Sequence, residues 1–330
     1  MRNRSRKRLN RFSAGLAGVL LLTSTACVHR GVTPIRTHFN QGVYHYAEGD
    51  YEAAISAYRL ALEEDPSDLR SRFNLAEALE TQATRHETAG SSETATTQRQ
   101  EAEEHYRTIL TADPDHLRAT VNLAAREVEL GKHEAAETRL RTAMERHPRA
   151  ALPHVALAAH RLRSADPAQV RDALAVLEEA LAKDPANLDA NMLLGHACTT
   201  LARLGDPAPP LLERAREAFE RVTRSAPSDL GALLALARLE RQADQPEQAL
   251  PWLRRALYIH PDLLEAHLML SELLATSGEL EGATVHLWRS RELEDPQRPR
   301  IEPAEYQRRL LDLYRRLAEN EQAASDSAPP

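Results

Sequence analysis

Apolar positions recur at helical spacing from residue 35 to residue 297, and the pattern itself repeats. In one half of every repeat except the first, a leucine precedes a small residue; in the first repeat Gln41 precedes Gly42. The leucine pairs are Leu75-Ala76, Leu123-Ala124, Leu157-Ala158, Leu194-Gly195, Leu236-Ala237 and Leu270-Ser271. In the other half an alanine is followed four residues later by a bulky residue. These pairs are Ala54/Tyr58, Ala102/Tyr106, Ala136/Leu140, Ala173/Leu177, Ala215/Phe219, Ala249/Leu253 and Ala283/Leu287. The pattern predicts two packed helices in each repeat.

A proline closes every repeat. The seven prolines are Pro66, Pro114, Pro148, Pro185, Pro227, Pro261 and Pro296, spaced by 34 to 48 residues. Proline disfavours helix at the residue before it, so each should end the second helix of its repeat. The surplus residues lie near 84–97, 164–168 and 204–212, between the two halves of a repeat. The insertions therefore belong to the turn within a repeat, with 84–97 forming a solvated loop or a helix extension.

This repeat resembles the tetratricopeptide (TPR) repeat, and the segment from Gly42 to Pro66 matches it best. The resemblance implies an all-α fold, a right-handed α-solenoid of about seven helix-turn-helix units over residues 35–297. An amphipathic segment at 298–320 is expected to form a capping helix, and the small, polar residues 321–330 are expected to be disordered. Only 4% of the residues are aromatic and 12 are glycine, which argues against a β-sandwich or barrel.

The N-terminus carries a different signal. Residues 1–26 contain six basic and no acidic residues, with a short apolar run from Phe12 to Leu22. The run is too short for an ordinary membrane span and is typical of a signal peptide. The small residues before Cys27 resemble a bacterial lipoprotein signal, which implies lipidation of Cys27 and a linker over 27–34. Ordinary cleavage after Ala26 and an uncleaved anchor stay open. The following Val28 favours the outer membrane, facing the periplasm.

Beyond residue 26 the chain has 36 basic and 49 acidic residues, a net charge of −13. This charge disfavours nucleic acid as a partner. The sequence contains no glycine-rich phosphate loop, HExxH or CxxC motif, so we predict no catalytic residue, cofactor, metal or small-molecule substrate. His38 and His45 could share a helix face, but a zinc site needs further ligands. Cys198 falls on a core column and is expected to be a small buried hydrophobe.

The TPR resemblance implies that a protein or peptide binds the concave surface lined by the first helix of each repeat. The side chains expected to contact it are Arg36, Phe39, Asn40, Tyr46, Arg70, Phe73, Asn74, Arg118 and Asn122. Amides can satisfy a peptide backbone and arginines can pair with carboxylates, so the partner should carry acidic residues. Two plainer alternatives stay open: asparagine could simply be common at this column, and the aromatic residues could belong to the core.

Together these features predict a non-enzymatic protein-binding scaffold, exported and lipid-anchored in the bacterial envelope. Lipoproteins of this design resemble factors for outer-membrane protein insertion, pilus or secretion machinery, or cell-wall enzyme control. One alternative is an accessory subunit of an enzyme or export complex, held by an uncleaved signal anchor. The other is an enzyme with its site in the groove.

Overall fold

In the computed structural model, the described residues are 34–164, 166–206, 208–243, 245–295 and 300–326. The predicted signal peptide, Cys27 and most of the linker lie outside them. The described part contains fifteen α-helices and no strand. In chain order they are α1 (Pro34–Ala47), α2 (Tyr51–Glu64), α3 (Leu69–Thr88), α4 (Ser92–Ala112), α5 (Leu117–Glu129), α6 (His133–Arg146), α7 (Leu152–Arg161), α8 (Pro167–Lys183), α9 (Leu188–Arg203), α10 (Ala208–Ser225), α11 (Leu230–Gln242), α12 (Pro246–Ile259), α13 (Leu264–Ser277), α14 (Leu280–Leu293) and α15 (Pro303–Asp326).

The chain divides into two compact units, residues 1–82 and 83–330. In the first unit α1 packs on α2 as a helical hairpin. In the second unit five hairpins follow one another, α5/α6, α7/α8, α9/α10, α11/α12 and α13/α14, and α15 packs on α14. These successive helical hairpins confirm the predicted all-α fold class, that of an α-solenoid.

The turns follow from local sequence. The even-numbered helices from α2 to α12 each end two residues before a recurring proline. The residue two positions after that proline often caps the next helix: Asp229 accepts a hydrogen bond from the Ala232 amide at 2.8 Å, and Asn187 accepts one from the Ala190 amide at 2.9 Å. Such caps satisfy a helix N–H group that has no partner within the helix. Gly49 and Gly131, which follow α1 and α5, have φ values of 78° and 73°, a conformation that glycine adopts without strain.

The predicted core columns are buried. All seven alanines from Ala54 to Ala283 in the alanine column have no exposed surface, and the bulky residues four positions later are at most 2% exposed. The small-residue column is buried as well, and a methyl group added at Gly195 would overlap the Phe219 ring. Cys198 is fully buried, as expected, and burial raises the pKa of its thiol to about 11.

The insertion near 84–97 extends helices instead of forming an irregular loop. Helix α3 has 20 residues and α4 has 21, with a short turn between Thr88 and Ser92. The insertions near 164–168 and 204–212 lie between α7 and α8 and between α9 and α10. Helix α15 reaches Asp326, so it continues past the expected capping segment into part of the expected tail.

Candidate functional site

The first unit brings together three of the residues predicted to contact a partner. Arg70 of α3 places its guanidinium carbon 5.6 Å from the centre of the Phe39 ring of α1, a cation–π contact. The Phe39 ring lies 6.1 Å from the Tyr58 ring, and Asn74 makes a side-chain hydrogen bond with Tyr58. Phe39, Arg70 and Asn74 therefore converge around a buried tyrosine.

Two further residues predicted to contact a partner lie on α1. Asn40 is exposed beside Phe39. Tyr46, nearer the end of α1, is half-buried, and its hydroxyl lies 3.2 Å from Thr81 Oγ1 of α3. We call the set Phe39, Asn40, Tyr46, Arg70 and Asn74 the α1–α3 surface. It combines an exposed cation, aromatic rings and amides, which suits contact with a peptide that carries carboxylates.

Phe73 does not belong to this surface. It is only 4% exposed, so its ring contributes to the core and offers little area to a partner. The plainer alternative for the aromatic residues therefore describes Phe73. The side chain of Arg36 lies outside the described part of the structure.

The second unit contains the other two predicted residues, on α5. Arg118 is exposed, and Asn122 is half-buried with its Nδ2 donating to the Tyr106 hydroxyl at 2.9 Å. Asn74 likewise makes a side-chain hydrogen bond with Tyr58, which also lies sixteen residues earlier in the chain. Two members of the asparagine column thus hold the hydroxyl of a buried tyrosine, a structural role that the sequence analysis did not identify.

The same unit has a basic pocket that the sequence analysis missed. It lies between α9 and α11, has a volume of about 270 Å³, and is lined by residues that include His196, Thr199, Arg203, Arg238 and Gln242. The Gln242 amide donates to the Thr199 carbonyl at 3.2 Å, and Arg238 forms an ion pair with Glu265 of α13. Mapping the first helices of the later repeats, as was done for the first three, could have found these arginines.

A larger cavity of about 560 Å³ borders α6. Arg139 in its wall is already bound through two hydrogen bonds to Glu127, at 2.7 and 3.0 Å. Arg70 also lies near an acid, with its Nε 3.5 Å from Asp68 Oδ1, but its side chain is 77% exposed, against 32% for Arg139. We therefore assign the candidate binding role to the α1–α3 surface, where Arg70 and Asn40 are exposed. Within the described ranges no group of three or more His, Cys, Asp or Glu residues could hold a metal ion. In the same ranges no helix is both long and apolar enough to cross a membrane.

Three of the solved structures with a similar fold are the following. A tetratricopeptide repeat protein from Parabacteroides merdae is 13% identical with a TM-score of 0.51, and the match covers 85% of this chain and 99% of that one. The pilF protein of Pseudomonas aeruginosa is 20% identical with a TM-score of 0.50, covering 71% and 95%. Human IFIT1, solved as a dimer with m7Gppp-AAAA, is 17% identical with a TM-score of 0.57, covering 74% of this chain and 55% of that one. At these identities the likeness establishes the fold alone.

No curated protein sequence matches the chain. Family models of the tetratricopeptide repeat match residues 35–68, 168–206 and 212–263. The first match contains Phe39, Asn40 and Tyr46, and the later two contain the arginines of the basic pocket. The chain therefore contains tetratricopeptide repeats.

Proposed function

We propose that this protein is a lipid-anchored scaffold of the bacterial envelope that captures a partner protein through the α1–α3 surface. The observation that carries the proposal is the convergence of Phe39, Arg70 and Asn74 on one side of the first tetratricopeptide repeats. Tetratricopeptide repeats serve mainly to bind proteins or peptides. The exposed Arg70 favours a segment with acidic residues.

Partner capture is tested by affinity purification from detergent-solubilised membranes, with mass spectrometry of the co-eluting proteins. Arg70→Glu combined with Asn40→Ala should abolish capture, because losing a central hot spot costs about 2 kcal/mol or more, roughly a thirtyfold change in affinity. Arg59→Glu on α2 is the matched control, since it reverses an exposed arginine of the same unit outside the α1–α3 surface. Equal loss of capture in the control, or full capture by the double variant, would contradict the proposed site.

Export and anchoring rest on the N-terminal sequence. The basic residues, the short apolar run and the small residues before Cys27 support cleavage and acylation of that cysteine. More than one acyl chain would be needed for stable anchoring, because a single chain binds a bilayer only weakly. Cys27→Ala should release the protein from membranes or leave its precursor uncleaved. The mass of the mature N-terminus decides: a terminus at Cys27 with acyl mass supports the proposal, and an intact Met1 supports the signal-anchored alternative.

A further inference from the structure

Helix α15 has two apolar sides. Tyr306, Leu310 and Leu313 are at most 7% exposed and pack in the core of the last hairpin. Leu311 and Tyr314 are 69% and 48% exposed. Residues three apart lie on the same side of a helix, so these two side chains form a second apolar stripe. A helix that only closed the end of the repeats would need one apolar side.

Helix α14 enlarges this stripe. Trp288 is 45% exposed, Val285 is 65% exposed, and the Trp288 indole N–H donates to the Tyr314 hydroxyl at 3.2 Å. The edge of the indole therefore contacts the phenol hydroxyl across the two helices. We call Val285, Trp288, Leu311 and Tyr314 the α14–α15 patch. Protein interfaces are enriched in aromatic residues, and monomers rarely expose a contiguous apolar patch larger than about a few hundred Å².

The charged residues beside the stripe form a pattern that is complementary to itself. In two antiparallel copies of α15, each positive side chain comes opposite a negative one. Arg308, Asp312, Arg315 and Glu319 alternate in sign with spacings of four, three and four residues, and each side chain is at least 47% exposed. Within the chain Arg308 pairs with Glu305, and Arg315 pairs with Asp312 and Glu319, so ion pairs with a second copy would replace these exposed pairs along the helix. In an antiparallel pair of α15 helices, Arg308 faces Glu319 of the other copy and Asp312 faces Arg315. In the same arrangement Leu311 of one copy lies near Tyr314 of the other.

We propose that the α14–α15 patch binds a second copy of this chain, with the two α15 helices antiparallel about a two-fold axis. A two-fold interface uses the same surface on both copies, so that surface must be complementary to itself. The sign-alternating charges and the Leu311/Tyr314 stripe meet this condition. A different partner would require no such symmetry. The dimer would give two α1–α3 surfaces in one assembly, but the interface does not depend on what those surfaces bind.

Charge reversal tests the register of the pair. The full-length chain, in a non-ionic detergent, is measured by light scattering with the detergent mass subtracted. Wild type should have the mass of two chains. Asp312→Arg and Arg315→Asp should each have the mass of one chain, because each variant places like charges opposite one another. An equal mixture of the two variants should return to the mass of two chains, since both ion pairs form again between unlike copies.

Apolar variants test the patch itself. Leu311→Glu should give single chains with the circular dichroism of wild type. Tyr258→Glu is the matched control, because Tyr258 of α12 is 89% exposed but outside the patch, and it should leave the dimer intact. A single-chain mass for wild type would overturn the proposal. A dimer that survives Leu311→Glu, or a mixture that does not reassociate, would overturn it as well.

Discussion

At the scale of single residues, the repeats depend on close contact between small and aromatic side chains. Glycine inside a helix lowers helix stability by about 1 kcal/mol relative to alanine, so Gly42 and Gly195 need a structural reason. Each lies under a buried ring, Tyr58 and Phe219 respectively, and a methyl group added to either would overlap that ring. Because glycine has no side chain, it leaves the space that the ring occupies.

Gly195→Ala should therefore lower the free energy of unfolding, by about 1–3 kcal/mol, because the core must shift to admit the methyl group. Chemical denaturation measures the change. Gly231→Ala is the control, since a methyl group there would have the Asp229 carboxylate as its nearest neighbour, at 3.1 Å. We expect a smaller effect for the control, and an equal effect would mean that the ring contact is not responsible.

The hydrogen bond from Asn122 to Tyr106 gives a second prediction at this scale. Tyr106 has no exposed surface, and Asn122→Ala removes the hydrogen bond that its hydroxyl accepts from the amide. A net intramolecular hydrogen bond contributes about 0.5–1.5 kcal/mol, so Asn122→Ala should lower stability by about that amount. In a Tyr106→Phe background the same change should cost much less. Additive losses in this double-mutant cycle would show that the amide is not used by the tyrosine and is available to a partner.

At the scale of one element, the α13/α14 hairpin contains a pair of histidines. The Nδ1 atoms of His267 and His286 are 2.8 Å apart, and His267 Nε2 lies 2.9 Å from the Pro261 carbonyl oxygen. Such a contact is satisfied when one Nδ1 donates and the other accepts. Burial lowers the pKa of His286, and the nearby His267 and Arg254 lower it further.

This hairpin should lose stability in mild acid. The pKa of His286 is lower in the folded protein than in the unfolded chain, so the unfolded chain binds the proton more readily. Stability is thus complete above the unfolded pKa of about 6.5 and falls as the pH drops towards the folded value. Denaturation between pH 7.5 and 5.5 should show a smaller loss for His286→Gln than for wild type. His260→Gln, at an exposed position of the same region, controls for removing a histidine, and a matching reduction there would contradict the assignment.

At the scale of the whole chain, sequence alone predicted the repeats well because their signals are periodic. The alanine and proline columns fix where each helix packs and ends, and the burial of Ala54 through Ala283 follows them. The binding surface was harder to predict, since a residue at a given position of the repeat can either support the fold or contact a partner. Phe73 and Asn122 occupy positions on the first helices of their repeats, yet one fills the core and the other holds a tyrosine. The role of Asn122 depends on a tyrosine sixteen residues away in the chain.

A repeat protein should also transmit damage only to neighbouring repeats, since each contacts mainly the next. Helix α6 of the second unit packs on α5 and α7. Ala136 of α6 has no exposed surface, so Ala136→Leu should overpack this site and cost about 1–3 kcal/mol. Amide hydrogen exchange should accelerate in α5, α6 and α7 and stay near wild type in α13 and α14. Ala135→Leu, at the adjacent exposed position, should leave exchange unchanged throughout. Faster exchange spread evenly from α5 to α14 would contradict this expectation. It would mean that the second unit unfolds as a single cooperative body, whereas the repeat pattern predicts that its hairpins open separately.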